Sequence, residues 1–247
     1  MLTGIHLRRY GDDLGDRGDG GLPRLLVELR AIRGVDRVRL SSIGAGALSD
    51  SFLRLFQEDP GLCPFFHIPL QSGSEAVLAR MRRGYAVDDF LGTLERVRQA
   101  LPHAVIATDL MVGFPGETEE EFEESLELCR RARFAAIHLF PYSLRPGTRA
   151  ARLPGHLPPE LKQARMERAR SLAAGLAAEE RERWIGRPVR VLVEEHRAGS
   201  AAGLSREGLR TRLAAPGAAS LWNQEISARV TAADGEGLIA RREDRHV

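Results

Sequence analysis

Small, polar and turn-forming residues follow each of five short apolar segments, and these residues have the types and spacing that could support chemistry. In residues 107–118, ATDLMVGFPGET, an apolar run ends abruptly in Gly113-Phe114-Pro115-Gly116. Glycine lets a ligand approach the backbone closely, and the free N–H groups of the next helix can donate hydrogen bonds to that ligand. The pattern predicts that ligands bind where these segments end.

The other four segments end in the same manner, at Thr3-Gly4, Ser41-Ser42, Gln71-Ser72-Gly73-Ser74 and Pro141-Tyr142-Ser143. Thr118 with Glu121, and Ser72 with Glu75, have the spacing of capping boxes that begin helices. One such turn would be explained by a well-capped loop alone. Five turns of the same character favour a shared binding edge.

Apolar segments alternate with amphipathic helices over the first 141 residues. We expect strands at 2–7, 36–42, 64–70, 104–112 and 134–141, and helices at 22–33, 49–58, 74–82, 87–100 and 118–132. This alternation predicts an α/β fold, in which right-handed crossovers build a parallel sheet into a full or partial (β/α) barrel. Chemistry in such folds lies at the carboxyl ends of the strands.

The composition and the spacing of apolar residues change after this region. Residues 145–159 are rich in proline and glycine, and a long charged helix is expected over about 160–183. Short strand-like runs then alternate with Gly and Asp turns, which predicts a small antiparallel β-barrel. The predicted organisation is a core over 1–150, a linker and connecting helix over 151–183, and a barrel over 184–247.

Composition describes an ordinary globular chain, 43% hydrophobic and 28% charged, with a net charge of +2. No apolar run approaches the roughly 18 residues of a membrane span, and the first residues lack a signal-peptide layout, so we expect a cytoplasmic protein with no membrane partner. Cys63 and Cys129 cannot form a disulfide framework or a closed metal site by themselves. Basic residues are almost all arginine, with Lys162 the single lysine, and arginine suits RNA phosphates.

Five segments together resemble the radical S-adenosylmethionine methylthiotransferases: LTGIHLRRYGDD, RVRLSSI, CPFFHIPLQSGSEAVLARMRRGY, TDLMVGFPGETEEEFEESLEL and IHLFPYSLRPGT. The resemblance runs from residue 1 to about residue 183, and it is greatest to the branch that modifies threonylcarbamoyl-adenosine at tRNA position 37. It implies a partial radical SAM barrel. The segment from about residue 184 is similar, more weakly, to a TRAM domain, a small RNA-binding barrel.

The resemblance implies a transferase that inserts a methylthio group at C2 of N6-threonylcarbamoyl-adenosine in the anticodon loop of tRNA. In that family a 4Fe–4S cluster reduces S-adenosyl-L-methionine to a 5′-deoxyadenosyl radical, an auxiliary cluster carries the sulfur, and a second S-adenosylmethionine supplies the methyl group. The cofactors carry the difficult chemistry. This explains why no acid/base pair stands out in the sequence, and catalytic residues stay unknown.

Positions that match the family's motifs are expected to bind S-adenosylmethionine. They are Thr3, Gly4, Ser41, Ser42, Gln71, Ser72, Gly73, Val112, Gly113, Gly116, Glu117, Phe140, Pro141 and Tyr142. The histidines at 6, 67 and 138 lie inside apolar strands, where a lone histidine is usually a packed and hydrogen-bonded residue, so we expect no metal site there.

Arginines of the last segment are expected to line an RNA-binding face, with Trp184 or Trp222 available to stack on bases. They are Arg187, Arg190, Arg197, Arg206, Arg210 and Arg212. The alternative is a solvated, arginine-rich surface without a partner.

The chain departs from the family in two ways. It has neither the C-x3-C-x2-C motif of the radical cluster nor the three cysteines of the auxiliary cluster, so we expect the C-terminal two-thirds of the enzyme, from a truncated gene, a late start or a split gene whose partner is a separate cluster-bearing segment. Gly44-Ala45 also stands where the branch has Glu-Pro.

Two other functions stay open from the sequence. One is an inactive RNA-binding remnant of the enzyme. The other is an unrelated βα-barrel enzyme, which ranks last because no catalytic lysine, carboxylate pair or metal triad is visible at the strand ends.

Overall fold

The computed structural model describes residues 1–15, 20–197, 200–214 and 221–243, which form six α-helices and eight β-strands. The helices are α1 (Gly21–Ala31), α2 (Asp50–Glu58), α3 (Glu75–Met81), α4 (Val87–Ala100), α5 (Glu119–Ala132) and α6 (Pro159–Glu182). All six confirm helices expected from the sequence, with ends that differ by one or two residues. Within the described ranges, none of these helices combines the length and the hydrophobicity that a membrane span requires.

Three parallel strands form the sheet of the first region: β1 (Phe65–His67), β2 (Val105–Val112) and β3 (Ala136–Pro141). β2 lies in the centre and pairs with β1 on one side and with β3 on the other. Isolated parallel bridges extend the sheet beyond β1, from His67 to Ser42 and from Leu40 to Leu2. The chain therefore has five parallel segments in one sheet, three of them regular strands.

The expected strand over 2–7 is wrong. Only Leu2 makes a bridge, and the chain then turns into a short 3-10 helix at Leu7–Arg9. Leu2 and Leu7 contact the main core, but Ile5 between them is 96% exposed, so the apolar residues of this segment do not share the face of a strand. Residues 36–42 likewise form single bridges instead of a continuous strand. A segment near the sheet edge has few neighbours to pair with, and regular strand structure weakens there.

The two faces of the sheet differ in polarity. Side chains alternate between faces along each strand, and one set, including Phe66, Ile68 and Leu110, is buried in the main core with the helices. The alternate set carries His67, Asp109 and Met111, and Asp109 pairs in register with His138 of β3. Helices thus cover one face, and the other face is polar.

Five strands after α6 form a closed barrel: β4 (Pro188–Arg197), β5 (Ser200–Ser205), β6 (Arg210–Ala214), β7 (Glu225–Asp234) and β8 (Gly237–Arg242). The order around the barrel is β4-β5-β6-β8-β7, and all neighbours are antiparallel except β6 and β8. The sequence did not predict β5, which consists mostly of Ala, Gly and Ser. Its Gly203 is required, since a Cβ there would lie 1.7 Å from the carbonyl oxygen of Leu192.

The barrel docks against the amino-terminal ends of the parallel strands. Val105 at the start of β2 is part of the barrel's apolar core, and Phe65 at the start of β1 packs against it. Arg37 donates to the carbonyl of Leu204 at 3.2 Å, and Arg206 donates to the carbonyl of Pro60. Because strands have two ends, the barrel lies opposite the carboxyl ends at which ligands are expected.

Helix α6 connects the two ends of the sheet. Its 24 residues make a rod about 36 Å long. Met166 and Ala169 pack in a cluster with Val112 at the carboxyl end of β2, while Trp184, just after the helix, is buried in the barrel core. The helix therefore sets the position of the barrel relative to the strand ends.

We predict that Glu225 anchors the barrel. Its carboxylate pairs with Arg206 at 2.7 Å, Arg190 at 2.6 Å and Arg37 at 3.7 Å. Burial by itself would raise the pKa of Glu225, but the hydrogen bond and charge of Arg206, with Arg190 and Arg37, outweigh burial and lower the pKa from 4.5. Glu225→Gln should therefore lower the free energy of unfolding by about 2–3 kcal/mol at pH 7.

The pH dependence has a defined sign. A carboxyl with a lowered folded-state pKa stabilises the protein above its unfolded pKa, and this contribution is lost as pH falls through the folded-state value. Urea unfolding from pH 7 to pH 3 should show that loss in the wild type and less of it in Glu225→Gln. Glu243→Gln, which breaks a surface pair with Arg229, is the matched control, and an equal effect of the two changes would contradict the anchoring role.

Candidate functional site

The carboxyl ends of the parallel segments lie along one edge of the sheet. Gln71 follows β1 and donates its N–H to the carbonyl of Asp109 at 2.8 Å. Tyr142 follows β3 and donates to the carbonyl of Val112 at 2.8 Å. Gly113 follows β2 between them, and Ser42 lies beside His67. The edge predicted from the sequence to bind ligands is therefore assembled in the fold.

A line of hydrogen bonds crosses the polar face of the sheet near this edge. The Ser42 hydroxyl lies 2.8 Å from Nδ1 of His67, and Nε2 of His67 lies 2.8 Å from a carboxylate oxygen of Asp109. A carboxylate only accepts, so Nε2 carries a proton. In the neutral ring Nδ1 then accepts from the Ser42 hydroxyl, which leaves the oxygen of Ser42 as an acceptor for a ligand.

Both ring nitrogens of His67 thus make hydrogen bonds within the protein, as expected for a packed histidine. His138 packs edge-on to it, with ring centroids 5.1 Å apart. No group of three or more His, Cys, Asp or Glu that could hold a metal ion occurs in the described ranges. The sequence analysis missed Asp109; the signal was an acidic residue inside the apolar run of β2.

Gln71 has a strained backbone at the end of β1. Its φ of 70° is in the left-handed region, which residues other than glycine rarely adopt. Its N–H donates to Asp109, and its carbonyl accepts from the N–H of Met111 at 2.9 Å. The neighbouring strand therefore holds this conformation, and such strain is concentrated at binding sites in proteins.

Two glycines shape the turn after β2. Gly113 has a φ of 78°, and a Cβ on it would lie 2.5 Å from Cγ of Lys162. Gly116 has a φ of 74° and donates its N–H to the carbonyl of Gly155 at 2.8 Å. Lys162 donates its ammonium to the carbonyl of Tyr142 at 3.3 Å. The turn is therefore enclosed by α6 and by the linker. A glycine is needed at 113 because Lys162 of α6 lies where a Cβ would be.

Glu117 is buried inside this turn and holds it to α6. Its carboxylate accepts from Arg165 at 2.7 Å and from the N–H of Gly113 at 3.0 Å. The two side chains are 2% and 4% exposed. Burial raises the pKa of Glu117, and the N–H of Gly113 and the guanidinium of Arg165 oppose that rise. The structure therefore gives Glu117 a structural role, because its carboxylate has no open side for a cofactor.

Three other expected cofactor residues also face the protein. Ser72 is fully buried against Ser125 of α5, with 3.2 Å between their hydroxyls, and the N–H of Gly73 donates to Ser125 at 2.9 Å. The third, Val112, is buried in the cluster under α6. Only the backbone of these residues is suited to contact a ligand.

The expected capping box of Ser72 with Glu75 is wrong. Ser74 is the N-cap residue of α3, and its side chain makes no capping bond. Glu75 instead accepts from the N–H of Val87 at the start of α4. The box of Thr118 with Glu121 at the start of α5 is confirmed.

The remaining expected cofactor residues lie at the strand-end edge. Thr3 and Gly4 are exposed directly after the Leu2 bridge, and the N–H of Ser41 donates to the carbonyl of Leu2 at 2.9 Å. At the end of β3, the exposed Phe140 and Pro141 are followed by the buried Tyr142. Tyr142 packs edge-on to Phe114. Their role in binding stays a prediction.

The barrel arginines have different surroundings. Arg210 pairs with Glu195 at 3.0 Å, and Arg212 pairs with Asp234 and Glu236. Arg190 pairs with Glu225 and is half exposed. Arg187 lies 3.1 Å from a ring nitrogen of His103. The side chain of Arg197 lies outside the described residues. Acidic neighbours thus partly neutralise the face expected to bind RNA.

Two residues assigned to RNA binding are buried, which corrects the sequence-based expectation. Arg206 is 8% exposed, and its guanidinium is bonded to Glu225 and to the carbonyl of Pro60. Trp184 is 3% exposed, and its indole N–H donates to Glu180 at 3.0 Å. Both residues join the barrel to the rest of the protein. Trp222, by contrast, is 56% exposed and remains suited to stacking.

The two cysteines do not fit an iron–sulfur cluster. Burial raises the pKa of Cys129 to about 12 and also raises the pKa of Cys63. Cluster ligands are thiolates, and these two thiols are free and buried in different parts of the fold. Residues at the strand ends have the open backbone and hydroxyl groups that suit S-adenosylmethionine; the chain's own thiols do not suit a 4Fe–4S cluster.

Comparison with known proteins finds the radical SAM superfamily, whose family model matches residues 15–129. A relative from Streptomyces viridosporus is 44% identical over 194 residues, and one from Arthrobacter sp. is 45% identical over 192 residues. Both are named tRNA-2-methylthio-N(6)-dimethylallyladenosine synthase. The matches cover 78% of this chain but only 38% and 36% of those relatives. The chain thus spans well under half the length of the curated relatives it matches.

A solved structure supports the fold alone. Coproporphyrinogen III oxidase from Escherichia coli, described as a radical SAM enzyme, is 15% identical, with a TM-score of 0.52. The likeness covers 87% of this chain and 54% of that chain. The predicted fold class, an α/β region with a parallel sheet followed by a small β-barrel, is confirmed.

We predict that the Glu117–Arg165 pair is required for the turn. Arg165→Ala leaves a buried carboxylate without its partner and should lower the free energy of unfolding by about 3 kcal/mol or more. Arg168→Ala removes an arginine of the same helix that is 45% exposed, and should cost less than about 1 kcal/mol. Chemical denaturation measures both variants, and equal losses would show that burial of the Arg165 pair is unimportant.

Proposed function

We propose that this chain supplies the cofactor-binding edge and RNA-binding barrel of a tRNA methylthiotransferase, with the matched residues 15–129 as part of a radical SAM domain. The proposal is carried by one observation: identity of 44% over 194 residues to a relative named as a methylthio-adenosine synthase of tRNA. The strand-end geometry supports it, because the matched residues 15–129 include three of the five turns that form the edge: Ser41-Ser42, Gln71 to Ser74, and Gly113 to Gly116.

The proposed cofactor is S-adenosylmethionine, bound along the carboxyl ends of the sheet. Its adenine and ribose would meet the exposed backbone at Pro141 and the hydroxyl of Ser42. Bound S-adenosylmethionine supplies the radical when a reduced cluster is present. This chain's residues bind and orient the cofactor, and we route no step through a cluster because Cys63 and Cys129 do not fit one.

The proposed substrate is an adenosine of tRNA with a substituent on N6. The five motif segments together most resemble the branch that acts on the threonylcarbamoyl nucleoside, whereas the names of the relatives give dimethylallyl. Both nucleosides carry the same purine C2 at which the methylthio group would be placed. We propose the threonylcarbamoyl nucleoside, with the dimethylallyl nucleoside as the outcome that would replace it.

The function is tested by deletion of the gene in its source organism and mass spectrometry of tRNA nucleosides. We expect loss of one methylthio-adenosine and accumulation of its N6-substituted precursor, both reversed by the intact gene. Accumulation of threonylcarbamoyl-adenosine supports the proposed substrate, and accumulation of dimethylallyl-adenosine corrects it. An unchanged nucleoside profile would favour an inactive remnant.

A second prediction concerns the Ser42–His67–Asp109 line. Asp109→Asn keeps the shape of the side chain, but it replaces a carboxylate that only accepts by an amide that can also donate, so the proton is no longer fixed on Nε2 of His67. The affinity of the purified chain for S-adenosylhomocysteine, measured by calorimetry, should fall by about three- to tenfold, as one hydrogen bond to a ligand warrants.

Asp50→Asn is the control, because Asp50 is exposed in the first turn of α2. It should leave the affinity unchanged. The ¹⁵N shifts of His67 should report a change of tautomer in Asp109→Asn only. Full affinity in Asp109→Asn would contradict the role of the line, and no binding by the wild type would contradict the cofactor site itself.

A further inference from the structure

A basic cavity opens beside the candidate site. It has a volume of about 320 Å³ and lies between the end of α3, the turn after β2 and the linker. Its cationic lining consists of Arg80, Arg82, Arg83 and Arg149. Its apolar lining includes Met111 and Phe114. Met111 is close to the carboxyl end of β2, and Phe114 is in the glycine turn. The cavity is therefore continuous with the edge at which the cofactor is proposed to bind.

The charge of this cavity is unusual in the molecule. None of its lining residues is acidic, whereas three other cavities of the described structure each include glutamates. Arg80 is held by Glu121 at 2.6 Å, and its Nε is buried without a hydrogen-bond partner among the described residues. Arg82, Arg83 and Arg149 are exposed, and the described part of the chain shows no salt bridge to them. Three cations thus meet without a counter-charge.

The backbone of Arg82 has a left-handed conformation, which Arg133 at the end of α5 shares. Arg82 ends α3 with φ 57° and ψ 43°. Its N–H bonds to Ala79 at 3.0 Å, and the N–H of Arg83 bonds to Leu78 at 2.9 Å. Glycine is the preferred residue at this position of a helix end, since a side chain there is strained. An arginine at this position favours stability less than glycine would, so a change to glycine removes the charge without a cost to the fold.

We propose that this cavity binds a phosphodiester group of the RNA strand next to the base that enters the strand-end site. The guanidinium group matches phosphate with paired hydrogen bonds, and phosphate contacts position a nucleic acid without reading its sequence. The barrel cannot supply these cations, because it docks at the opposite end of the strands and its Arg210 and Arg212 are paired with acids. The proposal rests on the proposed function.

The test exploits the conformation of Arg82. Arg82→Gly removes the charge and relieves the left-handed residue, so the melting temperature should stay the same or rise. Affinity for an anticodon stem-loop RNA, measured by fluorescence anisotropy, should fall about three- to tenfold at low salt, and the slope of log K against log salt should decrease by about 0.7. Arg83→Ala and Arg149→Ala should act in the same direction.

Arg33→Gly is the matched control, because Arg33 is exposed in the turn after α1 and lies outside the cavity. It should leave affinity and salt slope unchanged. If the wild-type chain binds the RNA and Arg82→Gly binds equally well with the same slope, the cavity proposal is wrong and the proposed function stands. If the wild-type chain does not bind the RNA at low salt, that result contradicts the proposed function. Displacement of the RNA by equimolar inorganic phosphate would overturn a phosphodiester site in favour of a free-anion site.

Discussion

The buried pair of Glu117 and Arg165 is the contact on which the arrangement of this molecule depends. A buried carboxylate is stable only when its charge is met, and here a guanidinium of α6 and the N–H of Gly113 meet it. The pair therefore joins the turn after the central strand to a helix far along the sequence. It also explains the position of Lys162, one turn earlier on the helix, which crosses Gly113 and reaches Tyr142.

Helix α6 connects the turn held by Glu117 and Arg165 to the barrel at the other end of the sheet. The helix begins beside the carboxyl ends of the strands, and Trp184, just after it, is buried in the barrel core. Because the barrel also docks through Arg206 and Glu225, it is held at the amino-terminal end of the sheet. An RNA that offers a base to the strand ends must then extend along the molecule to reach the barrel. The length of α6, and not a flexible linker, sets the distance between the strand ends and the barrel.

Sequence periodicity predicted all six helices, since each has apolar residues at helical spacing that are buried in the fold. It failed where structure depends on distant partners. The 2–7 segment has strand-like alternation but little to pair with, and β5 has weak strand propensity but is enclosed between β4 and β6. The Ser42–His67–Asp109 line also depends on distant partners, so sequence periodicity did not predict it. Its three residues come from three parallel segments, and only the register between those segments brings their side chains together.

Arginine shows why composition could not assign the RNA-binding surface. The net charge of +2 is a small excess of many cations over nearly as many acids, so the position of each acid decides what each arginine does. Arg206 has Glu225 beside it in a buried interface and becomes a structural tie. Arg210 and Arg212 have acids beside them at the surface and are partly neutralised. Arg82, Arg83 and Arg149 line one cavity and have no salt bridge in the described part of the chain, so their charge is less screened. The proposed phosphate site is therefore beside the strand ends, and not on the barrel to which the arginine-rich sequence first points.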